Sequence, residues 1–387
     1  LQHIERQIPH GREVAKKLYG CNGVLFPIQT DPYGRCTCEA NGWGVWIGAA
    51  PWLSQHMWWH YEYSLDKEFL RERCYPFLKE VAEFYESYII KDENGEALIV
   101  PSQSPENRFV GSGDRFPVTI CVNATMDVEL AYDTLTHAIT AAKILGIDND
   151  KCEAWQSILD SLPSLKVGSK GQLLEWNEEF EEVEPGHRHI SHLYGLYPSD
   201  MITPEDTPDL FNAAMRSLEL RLSSFGGHTG WSRAWVACCF ARAGYGNEAF
   251  DHVEHLITDF ATDTLLDLHP PRIFQIDGNL VAVAAVIEML LQSYHNKIHL
   301  LPALPASWPN GKINGLRARG GFGVDIEWAE SRLIEAVIKA SVDNECQIYD
   351  PDACLKIFDE NGLDIEYIRN SNYIVFNAKA GMRYIVK

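Results

Sequence analysis

Two kinds of helical stretch alternate along most of this chain, and their alternation limits what it can fold into. Residues 45–63 and 280–292 carry apolar side chains almost all round the predicted helix, so both are expected to be covered on every side. Residues 67–90 repeat apolar side chains at three- and four-residue spacing and carry charge opposite, which is typical of an outer helix. Further helices are predicted at 11–19, 122–145, 151–162, 208–222, 230–244 and 247–261.

Inner helices paired with outer helices predict a toroid of helical hairpins. Near residue 300 the pattern changes, because Pro302, Pro305 and Pro309 interrupt it and short β-branched runs follow, separated by glycine and aspartate. We therefore predict a mainly α fold, with a helical toroid at 1–297 and a small antiparallel β-sandwich domain at 298–387. The loops of such a toroid that join outer to inner helices gather at one end, where chemistry is expected.

Composition excludes several classes of partner. The 387 residues carry a formal charge of −21, which argues against nucleic acid and against anionic membrane surfaces. No apolar run reaches the roughly 18 to 20 residues that a membrane span requires. A neutral, sugar-like substrate fits this charge better than a polyanion does.

The 10 cysteines are scattered and form no Cys-x-x-Cys pair, so buried free thiols are predicted in place of a zinc or disulfide framework. Unpaired thiols favour a reducing compartment such as the cytoplasm. A secreted or periplasmic location stays open, because any signal peptide would precede Leu1.

The segment Pro101-Ser102-Gln103-Ser104-Pro105-Glu106-Asn107 is the strongest catalytic candidate. Its two prolines disfavour a helix and predict a stiff, extended ledge that carries one carboxylate. A glutamate held in this way suits a general acid, which must meet a leaving group at hydrogen-bond distance. The alternative is a capped loop with Glu106 in solvent.

Asp277 is the second carboxylate candidate, on a turn that follows Pro270-Pro271. Two carboxylates across a cleft are the minimum equipment for glycoside hydrolysis. The alternative role for Asp277 is a helix N-cap before Leu280.

Basic and aromatic residues supply candidate sugar contacts. Arg188 and His189 are suited to donate hydrogen bonds to hydroxyl groups, and an arginine between histidines makes a metal site unfavourable. We therefore expect no metal and no cofactor. Trp52 and Trp231 are the candidate stacking residues; the first belongs to a cluster with Trp43, Trp46, Trp58 and Trp59.

Several ordered stretches resemble glycoside hydrolase family 95, the inverting α-L-fucosidases with some α-L-galactosidase members. They are PSQSPEN at 101–107, TMD at 125–127, EW at 175–176, HRHISHLYGLYP at 187–198, TGWSRAW at 229–235, residues 269–279, EMLLQS at 288–293, LPALPASW at 301–308 and GLRARGG at 315–321. The resemblance spans residues 11 to 328. It implies an (α/α)6 toroid followed by a β-domain and preceded by a large N-terminal β-domain.

Carried over to this chain, the resemblance makes Glu106 the general acid and Asp277 the carboxylate that polarises water-holding asparagines. Arg188 and His189 match sugar-binding positions, and Asp31 falls near a family His-Asn-Thr-Asp stretch that reads Ile-Gln-Thr-Asp here. Arg272-Ile273 and Leu280-Val281-Ala282 depart from the family pattern.

The family's Asn-x-Asn pair would lie upstream of residue 11, together with the first toroid helix. We therefore expect an incomplete toroid, open along an apolar seam, whose partner is the remainder of a longer polypeptide. The alternative is a degenerate member of the family that lacks the water-holding asparagines. The expected function is inverting cleavage of terminal α-L-fucosyl residues from oligosaccharides or glycans. The alternatives are an α-L-galactosidase, a phosphorylase and a non-catalytic carbohydrate-binding relative.

Overall fold

The computed structural model describes residues 1–37, 44–111 and 116–387. Helices dominate the first part of the chain, as the sequence predicts. Their bounds are α1 Gln2–Val14, α2 Ala49–Ser64, α3 Lys67–Phe69, α4 Tyr75–Tyr88, α5 Thr125–Leu145, α6 Asn149–Leu159, α7 Pro208–Ser223, α8 Gly230–Arg242, α9 Gly246–Asp259 and α10 Ile276–Leu290. Two π-helical segments, Ala15–Tyr19 and Leu70–Cys74, continue α1 and join α3 to α4.

The amphipathic pattern at 67–90 places its apolar side chains as predicted. Every apolar residue of that spacing is buried: Phe69, Cys74, Phe77, Leu78, Val81, Phe84 and Tyr88. The first helix begins earlier than its local pattern predicts, at Gln2 instead of residue 11. Pro9 and Gly11 are weak helix formers, but Ile4, Gln7 and Gly11 are all buried, so packing overrides local propensity there.

The expectation that 280–292 is covered on every side is wrong for its N-terminal half. Helix α10 buries Gly278, Ala285, Met289 and Leu290. Leu280 and Val283 instead stay 65% and 60% exposed.

Short strands pair within the loops, and longer strands form the C-terminal region. The strands are β1 Gln29–Thr30, β2 Cys36–Thr37, β3 Ile90–Lys91, β4 Ala97–Leu98, β5 Phe109–Val110, β6 Pro117–Val118, β7 Leu268–His269, β8 Ile273–Phe274, β9 Leu291–Gln292, β10 Lys297–Leu300, β11 Gly311–Ala318, β12 Phe322–Ala329, β13 Arg332–Ala340, β14 Asn344–Tyr349, β15 Ile357–Asp359, β16 Ile368–Asn370, β17 Tyr373–Ala378 and β18 Arg383–Val386.

Two five-stranded sheets share one core in this C-terminal region, with strand orders β16-β17-β14-β10-β9 and β11-β12-β13-β18-β15. Ile298, Ile348 and Phe376 from the first sheet belong to the same buried cluster as Val324 and Ile338 from the second. The prediction of a purely antiparallel sandwich is wrong at one pair, because β10 and β14 run parallel. The crossover between them carries three strands of the other sheet, which a local alternation pattern does not reveal.

By their internal contacts the residues form two compact units, 1–61 with 66–226, and 62–65 with 227–387. The predicted domain boundary at 297/298 stays a prediction. Within the described ranges, no helix combines the length and the apolar character needed to cross a membrane. The described cysteine side chains are all free thiols, and most are buried, as predicted.

Candidate active site

Glu106 lies on a non-helical ledge, as its flanking prolines predict. Strand β4 leads the chain into residues 101–107, and the backbone turns at Pro105 and Glu106. The side chain of Glu106 is 15% exposed, so it is neither sealed in the core nor free in solvent. Burial of this degree contradicts the alternative of a fully solvated loop glutamate.

Arg188 and His189 meet this ledge. The Arg188 guanidinium donates from Nη2 to Glu106 Oε2. His189 Nδ1 lies 3.3 Å from the Pro105 carbonyl oxygen, which also accepts a hydrogen bond from the Ser191 hydroxyl. Burial, with the Arg188 charge nearby, lowers the pKa of His189 to about 3, so its ring is neutral at physiological pH.

The ledge is tied on both sides of Glu106 to one buried carboxylate, Glu175. Ser104 Oγ donates to Glu175 Oε1 at 2.6 Å, and Asn107 Nδ2 donates to Oε2 at 2.9 Å. Arg221 Nη2 donates to the same Oε2 at 2.7 Å, and His192 Nδ1 lies 3.7 Å from it. Burial alone would raise the pKa of Glu175, but these partners, Arg221 foremost, lower it to about 2.

A second buried carboxylate holds the beginning of the ledge. Asp127, on the first turn of α5, accepts from Ser102 Oγ at 2.6 Å and from the Gln103 backbone N–H at 3.1 Å. Trp46 Nε1 donates to its other oxygen at 3.1 Å. Burial raises the pKa of Asp127 to about 6, because these hydrogen bonds only partly offset the loss of water.

Asp277 lies in the second unit, in the first turn of α10. The helix begins at Ile276 with Gln275 in the N-cap position, which excludes the alternative N-cap role for Asp277. Gln275 Oε1 accepts from the Trp231 backbone N–H at 3.4 Å, and the Trp231 ring stacks on Trp235 at 5.1 Å. Trp231 and Asp277 therefore belong to one neighbourhood of loop and helix starts.

Asp267 lies beneath this neighbourhood and is fully buried. A Cβ atom added to Gly230 would lie 1.6 Å from Asp267 Oδ1, and one added to Gly278 would lie 2.0 Å from Oδ2. The carboxylate thus packs against the first turns of two helices, at positions where any side chain larger than that of glycine would collide with it. Burial raises the pKa of Asp267 to about 6, and the charge of Asp277 adds to the effect.

Asp31 and Trp52 have local roles in the first unit. Asp31 Oδ1 accepts from the Tyr33 and Arg35 backbone N–H groups at 2.9 Å each, so its own turn uses this carboxylate. The Trp52 ring lies 5.2 Å from the Tyr194 ring, in a cluster with Met126 and Leu130. Their proposed substrate contacts stay predictions. Trp43 lies outside the described residues.

Sequence reasoning missed Asp127, Glu175 and Asp267 as site residues. Each is a carboxylate inside an apolar stretch, and that placement is the signal that could have indicated a buried, hydrogen-bonded role. Among the described His, Cys, Asp and Glu residues, no group of three is arranged to hold a metal ion.

Comparisons with known proteins identify the family. Residues 1–290 match the family model of the glycosyl hydrolase family 95 catalytic domain, and residues 292–386 match that of the glycoside hydrolase family 95 C-terminal domain. The chain is 36% identical to alpha-L-fucosidase 2 of Arabidopsis thaliana over 344 residues. This alignment covers 84% of this chain and 40% of that protein.

A probable alpha-fucosidase A of Aspergillus niger is 29% identical over 358 residues, covering 86% of this chain and 44% of the relative. The chain thus spans less than half the length of these two curated relatives. Among solved structures, an alpha-L-rhamnosidase of Streptomyces avermitilis shares the fold with a TM-score of 0.55 at 12% identity, over 98% of this chain and 36% of that one. The family models together cover nearly the whole sequence, and on that ground this chain belongs to glycoside hydrolase family 95.

Proposed function

We propose that this chain carries the acid-catalyst part of an inverting glycosidase that releases terminal α-L-fucosyl residues from oligosaccharides or glycans. One observation carries the proposal. The partly buried Glu106 carboxylate lies on a hydrogen-bonded ledge, where Arg188 contacts the carboxylate and His189 contacts the Pro105 carbonyl. The relatives named as fucosidases support fucose as the sugar.

In this mechanism Glu106 donates its proton to the departing glycosidic oxygen. The Arg188 guanidinium contacts the Glu106 carboxyl group and can also donate to a sugar hydroxyl. Arg188 therefore orients the acid and the sugar relative to each other.

Asp277 supplies the second carboxylate, acting on water through asparagine side chains that the family resemblance places upstream of residue 11. Inversion requires roughly 6.5 to 9.5 Å between the two carboxyl groups, to leave room for the water. We propose that the helices form an incomplete (α/α)6 toroid, with the remainder of a longer polypeptide as partner.

The test uses the full-length protein with an α-L-fucosyl oligosaccharide and follows the released sugar by proton NMR. The β-anomer should appear first, and Glu106→Gln should lower kcat by about 10² to 10⁴-fold, the usual contribution of a general acid. Glu93→Gln, an exposed glutamate 13 residues upstream, is the matched control and should leave kcat unchanged.

Other outcomes select the alternatives. First appearance of the α-anomer, or an unchanged kcat in Glu106→Gln, contradicts the proposal. Faster hydrolysis of an α-L-galactoside indicates the galactosidase specificity, and dependence on inorganic phosphate indicates a phosphorylase. Sugar binding without turnover indicates a non-catalytic relative.

A further inference from the structure

Glu175 is a buried carboxylate with four polar neighbours and no place of its own in the proposed reaction. It is 5% exposed and lies between Leu174 and Trp176. Two of its neighbours, Arg221 and His192, come from the surrounding protein, and the other two, Ser104 and Asn107, come from the ledge.

The ledge contacts bracket the acid. Ser104 is two residues before Glu106 and Asn107 is the residue after it, and both donate to the same carboxylate. A backbone hydrogen bond from Asn107 N to Ser104 O at 3.0 Å closes the turn between them. Movement of Glu106 relative to Glu175 therefore requires at least one of the two side-chain hydrogen bonds to break.

The charge of Glu175 suits it to this task. Arg221 is 3% exposed and lies against it, so the pair is shielded from water and from salt. Hydrogen bonds to an ionised acceptor are shorter and stronger than those between neutral groups. Since burial is offset by Arg221 and the other partners, the pKa of Glu175 falls to about 2, and it stays a charged acceptor at working pH.

We propose that Glu175, paired with Arg221 and bound to Ser104 and Asn107, is the positioning residue that fixes where Glu106 presents its proton. This inference rests on the proposed role of Glu106 as general acid. In that step the Glu106 O–H bond breaks as the O–H bond to the leaving oxygen forms, and the glycosidic C–O electrons stay with that oxygen. A displacement of about 1 Å in such a geometry can cost about 10²-fold in rate.

The leaving group of the substrate separates positioning from general damage. An alcohol leaving group needs a proton as the bond breaks, whereas a dinitrophenolate leaves readily without one. Misplacement of the acid should therefore slow hydrolysis of an alcohol glycoside far more than that of a dinitrophenyl glycoside. Loss of folded protein would slow both equally.

The experiment measures kcat and KM of the full-length protein for both fucosides in the double variant Ser104→Ala/Asn107→Ala. This variant removes both side-chain hydrogen bonds from the ledge to Glu175 and keeps the buried Glu175–Arg221 pair. We expect kcat for the alcohol glycoside to fall about 10²-fold and kcat for the dinitrophenyl glycoside to fall less than about tenfold, with KM nearly unchanged. Each single variant should give an intermediate loss, and the single variants carry the test if the double variant does not fold.

Glu175→Gln is the conservative variant. Its amide keeps the shape of the carboxylate and can still accept from Asn107 while it donates to the Ser104 hydroxyl. Glu182 Oε2 also lies 3.2 Å from Arg221 Nη1, so the buried guanidinium keeps a partner. We expect the same leaving-group pattern in this variant, with a smaller loss than in the double variant.

Glu288→Gln is the matched control, because Glu288 pairs with the buried Arg242 at 3.1 Å. It lies 11 residues beyond Asp277 on α10, or roughly 16 Å along the helix. In this control, the ratio of kcat for the alcohol glycoside to kcat for the dinitrophenyl glycoside should equal that of the wild type.

Two results would overturn the inference. Equal losses for both substrates in the double variant indicate a structural role only. An unchanged kcat for both substrates shows that the hydrogen bonds from Ser104 and Asn107 to Glu175 are dispensable. Glu106→Ala keeps the two proposals apart: if it shows the leaving-group pattern and the double variant does not, only the positioning role fails. If Glu106→Ala lacks the pattern, the acid assignment fails, and the positioning role fails with it.

Discussion

Buried carboxyl groups in this chain differ in charge because their partners differ. Glu175 touches the Arg221 guanidinium, and its pKa falls to about 2. Asp133 on α5 is also buried, but its donors are the neutral Tyr194 hydroxyl at 2.9 Å and the Gln55 amide at 3.3 Å. Burial therefore dominates, and with the charge of Asp200 it raises the pKa of Asp133 to about 7.

This raised pKa predicts a pH effect on stability that Asp133→Asn should abolish. Asp133 keeps its proton in the folded state up to about pH 7 but releases it in the unfolded state near pH 4. The contribution of Asp133 to the free energy of unfolding is therefore complete below pH 4 and is lost as the pH rises to about 7. From pH 5 to pH 8 the variant should gain on the order of 2 kcal/mol relative to wild type. Urea unfolding at both pH values measures the difference, and a constant difference would refute the assignment.

The close packing of Asp267 against Gly230 predicts that substitutions at these two positions have coupled effects on the free energy of unfolding. Gly230→Ala would place a methyl group 1.6 Å from Asp267 Oδ1, so atoms must shift. We expect a loss of about 1–3 kcal/mol in the free energy of unfolding.

The same methyl group should cost much less when Asp267 is already alanine. A double-mutant cycle of Gly230→Ala and Asp267→Ala, followed by chemical denaturation, measures this coupling. Additive effects within about 0.5 kcal/mol would contradict the close packing of the two residues.

The sequence predicts that the Glu106 ledge is not helical, because proline acts locally on the backbone, but it does not predict the turn at Pro105 and Glu106. The resemblance to a known family selects the same glutamate among many. Neither predicts that Ser104 and Asn107 share Glu175, because 71 and 68 residues separate these partners along the chain. Such pairings depend on how distant segments pack, and local propensity carries no information about them.

At the scale of elements, periodicity predicts helices well where one face packs and the other meets solvent. Helix α4 follows this rule, and it ends at Tyr88, two residues before the predicted end at 90. Helix α10 does not follow it, since apolar composition alone cannot say which neighbours cover a helix. The parallel pairing of β10 with β14 was also hidden, because alternation predicts a strand but not its direction.

The start of α3 offers an element-scale test of capping. Asp66 Oδ1 accepts from the Glu68 and Phe69 backbone N–H groups at 2.9 and 3.0 Å, which satisfies two donors at the helix start. Asp66→Ala should lower the free energy of unfolding by about 1 kcal/mol. Asp66→Asn keeps an oxygen acceptor and should retain most of the stability in thermal unfolding, whereas equal losses in both variants would exclude the cap.

At the scale of the whole molecule, several large apolar side chains at and just before the start of the helix that carries Asp277 are exposed. They come from the turn before β7, from β8 and from the first two turns of α10, and we call them the α10 surface: Leu265, Leu266, Ile273, Phe274, Ile276, Leu280 and Val283, each at least 48% exposed. Contiguous exposed apolar patches on soluble proteins usually mark places of contact.

The α10 surface predicts that residues 1–387, purified alone, associate or bind an apolar dye. Leu280→Asp/Val283→Asp should reduce dye fluorescence and shift the weight-average mass in sedimentation toward the monomer, because two charges interrupt the surface. The free energy of unfolding should change by only about 0.5 kcal/mol, since both side chains already face solvent. Ile257→Asp on α9, at a 48% exposed site outside this surface, is the control and should change neither dye binding nor mass. If the double variant binds dye and associates as the wild type does, the contact surface lies elsewhere on the molecule.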